Sequence, residues 1–208
     1  MKLVFRPTLL DKEFLRREFA PVLRNCIDAF WILCVIFAVA AVLLPDFSRD
    51  YLALLQQVFA ESGLLEESGA SMVGLLLRNN IRATILTVIY GFLPFLFYPA
   101  LTLGSNAMTI AVMGVVYVQE GYYTPAAFLA GILPHGIFEI PAMLIACAVG
   151  LCHCRLATGL IRRRAQTTPP RVQLVSLAWV YAALTLPLVV IAALVETFLT
   201  PFIQGLFL

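Results

Sequence analysis

The chain has 208 residues, 62% of them hydrophobic and 12% charged, with a formal net charge of +2, and its mean hydropathy is +0.94. That apolar surplus exceeds what a soluble domain of this size can bury, so the composition points to an integral membrane protein and excludes a nucleic-acid-binding surface. No polar stretch is long enough for an independently folded soluble enzyme; the longest, residues 45–80, falls below the usual size of a domain.

Residues 1–25 are polar and basic, with Lys2, Arg6, Lys12, Arg16, Arg17 and Arg24. Leu15, Phe19, Val22 and Cys26 recur at helical spacing, which predicts an interfacial helix leading into the membrane. Residues 26–44 are long enough for a first span. The "AVA" at Ala38–Ala40 resembles a signal-peptidase site but lies inside the apolar run, so the helix is expected to be retained.

Residues 45–80 read as an external loop. Within it "YLALLQQVFA" places Tyr51, Leu55, Val58 and Phe59 on one face of a short amphipathic helix, "ESGLLEESGAS" is a break, and Ser71 is an expected cap. Residues 81–118 lack charged side chains except Arg82 and are too long for one span. Pro99, Gly104, Ser105 and Asn106 supply turn chemistry, predicting a second span at 81–103 and a third at 105–118.

Thr124–Pro125 is a helix start. Pro134 and Pro141 interrupt the apolar run that follows, which predicts a short helix at 125–133, a break or re-entrant turn at Pro134, and a fourth span at 135–154. A second basic block, residues 155–171, precedes a fifth span at 172–195 and an interfacial tail. The fold class is therefore an all-α membrane protein with five transmembrane helices and one transmembrane domain. Both basic blocks belong on the cytoplasmic side. Four crossings separate them, so the N-terminus is expected to be cytoplasmic and the C-terminus external, in the inner membrane. Membrane lipid, other membrane proteins or further copies of the chain are the expected partners.

Two ionisable residues stand out in the apolar "LPHGIFEIPAMLIACAVG". His135 and Glu139 lie one helical turn apart on a face continued by Ala142, Met143, Ala146 and Gly150. A charge at mid-membrane costs on the order of 2.5–3.5 kcal/mol on insertion scales, so the pair must face protein or water. Three readings compete: a buried polar clamp, a proton or substrate relay, and an intramembrane catalytic or metal site. A metal would need further ligands, and His153 in "CHC" is 18 residues from His135, roughly 27 Å along a helix. No catalytic residue, metal site or cofactor is assigned from the sequence. Arg78, Asn79, Asn80 and Arg82 form a polar cluster expected at the outer mouth of the second span, where the arginines could anchor at the interface or contact an anion. The five cysteines read as packing residues.

The "RNN" at Arg78–Asn80, the hairpin "LTLGSNAM" and the HGxxE segment His135-Gly136-Ile137-Phe138-Glu139, with Pro141 and Gly150 beside it, are similar to the stage II sporulation protein M family, also called the DUF95 membrane proteins. The resemblance covers residues 75–151. It implies that Asn79, Asn80, Asn106, His135, Gly136 and Glu139 occupy motif positions, and that the chain works in an envelope membrane complex as a non-enzymatic scaffold or subunit. A small permease with a His/Glu relay is the alternative reading, and an intramembrane metal-dependent hydrolase is a weaker one.

Overall fold

The computed structural model describes residues 10–61 and 68–207. Lys2, Arg6, most of the expected break after Glu61, and the side chain of Phe59 lie outside the described residues. Among the described residues the chain is helical and has no strand.

Five helices are long and apolar enough to cross a membrane: α1 (Lys12–Leu43), α3 (Gly69–Tyr90), α4 (Tyr98–Gln119), α5 (Pro125–Ile161) and α6 (Pro170–Gln204). A shorter amphipathic helix, α2 (Pro45–Glu61), joins the first two. The bundle is organised around α5. Of its most apolar stretch 61% is buried, against 17–28% in the other four, so α5 is the core and the others form a shell around it. The shell turns an apolar surface outward: Trp31, Ile32, Val35 and Val39 on α1 are all more than half exposed. That is costly in water and appropriate against lipid tails.

Several boundaries differ from the sequence expectation. From Lys12 on, the basic N-terminal segment is not a separate interfacial helix. It continues into the first span, and Phe19, Val22 and Cys26 of its stripe are buried in the bundle core beside Cys147, Cys152 and Leu177. The second span begins at Gly69, after Ser68 at the cap position, while Ser71 donates a hydrogen bond to the Ser68 carbonyl at 2.8 Å.

The hairpin between α3 and α4 lies at residues 91–97, and Gly104, Ser105 and Asn106 are inside α4. The segment "GFLPFLF" looks like membrane by hydropathy, but Phe95 and Phe97 take left-handed backbone at φ 69° and 46°. That conformation is uncommon outside glycine and reverses the chain here. The turn is held by the end of α5. The Phe95 amide donates to Thr158 Oγ1 at 3.2 Å, the Arg162 guanidinium lies 5.1 Å over the Phe95 ring, and Phe92 stacks on His153 at 4.1 Å. His153 is thus a buried packing residue of the bundle, 5% exposed.

The expected break at Pro134 is absent: α5 runs unbroken through both Pro134 and Pro141. Its 37 residues are roughly 55 Å long at 1.5 Å per residue, well beyond an apolar core of about 30 Å. Neighbouring helices bury this helix on most sides, so packing offsets the backbone bonds that the prolines remove. The tail after residue 195 continues α6 through the π turn Val195–Leu199 and packs back on α5 instead of lying in the interface; a second π turn, Tyr181–Thr185, lies earlier in the same helix.

The described residues of the two basic blocks lie at one end of the bundle. There Glu18 accepts hydrogen bonds from Thr167 and Thr168, and the Asp11 amide donates to Ser176. At the other end Arg49 of α2 pairs with Glu120 at 2.7 Å. That hydrogen bond and charge push the Arg49 pKa up.

Candidate functional site

The HGxxE residues lie on the first half of α5, whose start is set by Thr124: its Oγ1 accepts from the Ala127 amide at 3.1 Å, with Pro125 at the first helical position. From there the helical period brings His135 and Glu139 to one face. His135 Nε2 lies 3.9 Å from a Glu139 carboxylate oxygen, close for a charge pair and too long for a hydrogen bond.

The site has a third ionisable member, which comes from the other end of the chain. Glu196 of α6 joins the pair, and one ligand atom from each of His135, Glu139 and Glu196 lies within 4.8 Å of the others. Thr200, one turn further along α6 and 6% exposed, sits 3.2 Å from His135 Nδ1. Glu196 falls in the π turn Val195–Leu199. Such a turn carries an extra residue and is found disproportionately at functional sites, where it re-aims side chains. His135 has 14% of its side chain exposed and Glu139 39%, so the cluster is half-enclosed and open on one side. Groups of this kind can share protons, hydrogen-bond across the helices, or ligate a cation.

The sequence pairs His135 with Glu139, as the structure does, but not with Glu196, just past the expected fifth span at 172–195, or with Thr200, in the expected interfacial tail. The available signal was the second pair of polar residues, Glu196 and Thr200, at the same one-turn spacing in an apolar segment.

The other motif residues lie elsewhere. Gly150 is where α5 meets the α3–α4 turn: a Cβ there would sit 2.6 Å from Pro99 Cγ and 2.7 Å from the Thr87 carbonyl oxygen. Gly136 is buried, yet a Cβ would make only ordinary contacts with Ile132 and Ile140, at 3.4 and 3.7 Å. Pro141 is half-buried within α5. The arginine cluster is not at a helix mouth. Because α3 starts at Gly69, Arg78 lies roughly 13 Å below its first residue and Arg82 roughly 12 Å from its last, by the helical rise. Arg78, Asn79 and Arg82 are exposed, while Asn80 is half-buried and its carbonyl accepts from Thr84. Asn106 is also exposed, its amide donating to the Thr102 carbonyl at 2.8 Å.

Five membrane-length helices, four of them around a buried central one, with an ionisable cluster between the core helix and the last, define a multi-pass integral membrane protein. The family model for stage II sporulation protein M matches residues 18–201. The chain belongs to that family. Neither the curated proteins nor the solved structures contain a match to it.

Proposed function

We propose that the protein is a non-enzymatic subunit or scaffold of a larger membrane assembly of the cell envelope, in the inner membrane with both basic blocks cytoplasmic and its C-terminus external. The observation that carries this reading is the outward face of α3 and α4. Arg78, Asn79 and Arg82 at the middle of α3, and Ser105 and Asn106 inside α4, are all exposed on the single chain. An arginine at the centre of a spanning helix costs on the order of 2.5–3.5 kcal/mol against lipid, and polar groups at that depth normally face protein. A neighbouring helix that pairs these groups removes the cost. Within the chain, the His135 cluster serves as a polar clamp that fixes the end of α6 on α5.

The test is site-specific photo-crosslinking in native membranes. A photoreactive residue at Asn79 or Asn106 should capture a protein, another copy of this chain or a different one, while the same residue at Val35 on the apolar face of α1 should not. Capture no greater at Asn79 and Asn106 than at Val35 refutes the assembly. The clamp is tested separately: His135→Gln combined with Glu139→Gln keeps hydrogen-bonding groups in place and should leave the assembly intact.

The second reading, a permease whose relay runs through His135 and Glu139, is favoured by one observation, the partial exposure of Glu139 beside a second carboxylate. On that reading the same double substitution abolishes flux in reconstituted vesicles.

A further inference from the structure

The cluster of His135, Glu139 and Glu196 offers a donor set that a hydrogen-bonded clamp does not need. We propose that these three side chains bind one divalent transition-metal ion of the zinc class, stapling α6 to the central helix α5.

Ligand atoms around tetrahedral zinc lie about 2.0–2.2 Å from the metal and hence roughly 3.3–3.5 Å from one another. His135 Nε2 and the Glu139 oxygen are 3.9 Å apart, and the three donors together fall within 4.8 Å. A direct hydrogen bond would draw a pair in to about 2.8 Å. The observed separation instead lies just outside the edge of a coordination tetrahedron, a gap that small rotations of two carboxylates close.

Among the described residues, neither Glu139 nor Glu196 is within 4.0 Å of an arginine or lysine; the ion pair recorded for Glu139 is with His135. Two ionised carboxylates within 4.8 Å of each other repel in a half-enclosed site. A dication beside two carboxylates and a neutral imidazole gives a site of zero net charge, the form suited to the interior of a membrane protein.

The remaining imidazole nitrogen, Nδ1, faces the Thr200 hydroxyl at 3.2 Å. Metal-binding histidines commonly donate their other N–H to a fixed acceptor, which sets the tautomer and aims the lone pair at the metal. In the metal-bound form Nδ1–H donates to Thr200 Oγ1, leaving Nε2 for the ion. Glu196 and Thr200, four residues apart on α6, lie on the same side for these two tasks. One nitrogen and two carboxylate oxygens, without thiolate, select zinc and its neighbours over calcium and magnesium, which take all-oxygen sites, and over soft cuprous copper. The five cysteines are not part of the cluster.

The test uses the full chain, purified without a histidine tag in detergent, stripped with a chelator and titrated with zinc. Bound metal is counted by elemental mass spectrometry, and cobalt substitution reports the ligand geometry by visible absorption. The expected result is one zinc per chain with a dissociation constant in the micromolar range or below, and cobalt bands of a four-coordinate nitrogen–oxygen site. Glu196→Gln and His135→Gln should each weaken binding by at least tenfold. Thr200→Val should weaken it by about 10–100-fold, as removal of an outer-shell partner does. Replacing Cys152 and Cys154 by alanine should change nothing. Absence of stoichiometric zinc from the folded wild-type chain overturns the proposal, and needs no variant to fold. Undiminished binding in Glu196→Gln, or loss of binding in the cysteine variant, overturns it as well.

Discussion

Replacing Gly150 by alanine tests the geometry at the centre of the bundle. The added Cβ would lie 2.6 Å from Pro99 Cγ and 2.7 Å from the Thr87 carbonyl oxygen. Both are rigid, one in a proline ring and one in helical backbone, and ordinary contact begins near 3.4 Å, so α5 and the α3–α4 turn must separate by most of an ångström. Overpacking of this kind costs about 1–3 kcal/mol. Glycine to alanine within a helix also contributes roughly 0.5–1 kcal/mol in the favourable direction, which would blur a single measurement. Gly136→Ala supplies the control, because it sits in the same helix and its Cβ would meet only side-chain carbons at 3.4 and 3.7 Å. The propensity gain cancels between the two variants, leaving the steric cost. Gly150→Ala should therefore be less stable than Gly136→Ala by about 1–3 kcal/mol, a factor of roughly 5 to 150 in the folding equilibrium. Unfolding in a graded mixture of mild detergent and dodecyl sulfate, followed by tryptophan fluorescence, measures that difference. Equal stability, or the reverse order, would refute the close approach of α5 to the turn.

Other outcomes follow from the same contacts. Pro134→Ala should preserve or raise thermal stability, because α5 is continuous there and alanine restores the bond to the Ala130 carbonyl; a large loss, read by the same unfolding assay, would restore the break expected from sequence. Thr200→Val removes the hydrogen-bond partner of His135 Nδ1 and should destabilise the metal-free protein by about 1 kcal/mol. Arg49→Ala should lower the melting temperature only slightly, and less in high salt, since its pair with Glu120 is exposed at the rim. Reporter fusions after Arg164 and after Gln204 should report opposite sides of the membrane, with the first cytoplasmic.

The sequence was most informative where polar and apolar residues contrast sharply. Two basic blocks, the apolar runs between them and the one after the second were enough for five spans, and Thr124–Pro125 marks the start of α5 because capping chemistry is local. It was least informative inside continuous apolar stretches. The turn at residues 91–97 is as hydrophobic as a span, and what makes it a turn is the left-handed backbone at Phe95 and Phe97 and its attachment to Thr158 and Arg162, contacts distant in sequence. Taking that turn for membrane moved the second span toward the C-terminus and carried Arg78 and Arg82 to its mouth. Pro134 misled for the opposite reason: a rule of local backbone chemistry was overridden by burial of α5 among its neighbours. His135 and Glu139 were visible as a pair because they share one helix turn, whereas Glu196 joins them only through tertiary packing.

The π turn at Val195–Leu199 has a consequence for how this chain can change length. It holds one residue more than an α-helix would, so deleting one residue there lets the helix close into regular α-geometry without shortening its axis by much. Everything beyond keeps nearly its present orientation, because the π turn is what absorbs the extra residue. Thr200 would still face His135, and Gln204 would still rest against Gly131. The same deletion in α5, which has no π turn, would instead rotate everything beyond it by about 100°, one residue's share of a 3.6-residue turn. Two single-codon deletions that leave hydropathy and topology alike would thus differ sharply in which face the helix presents to the core.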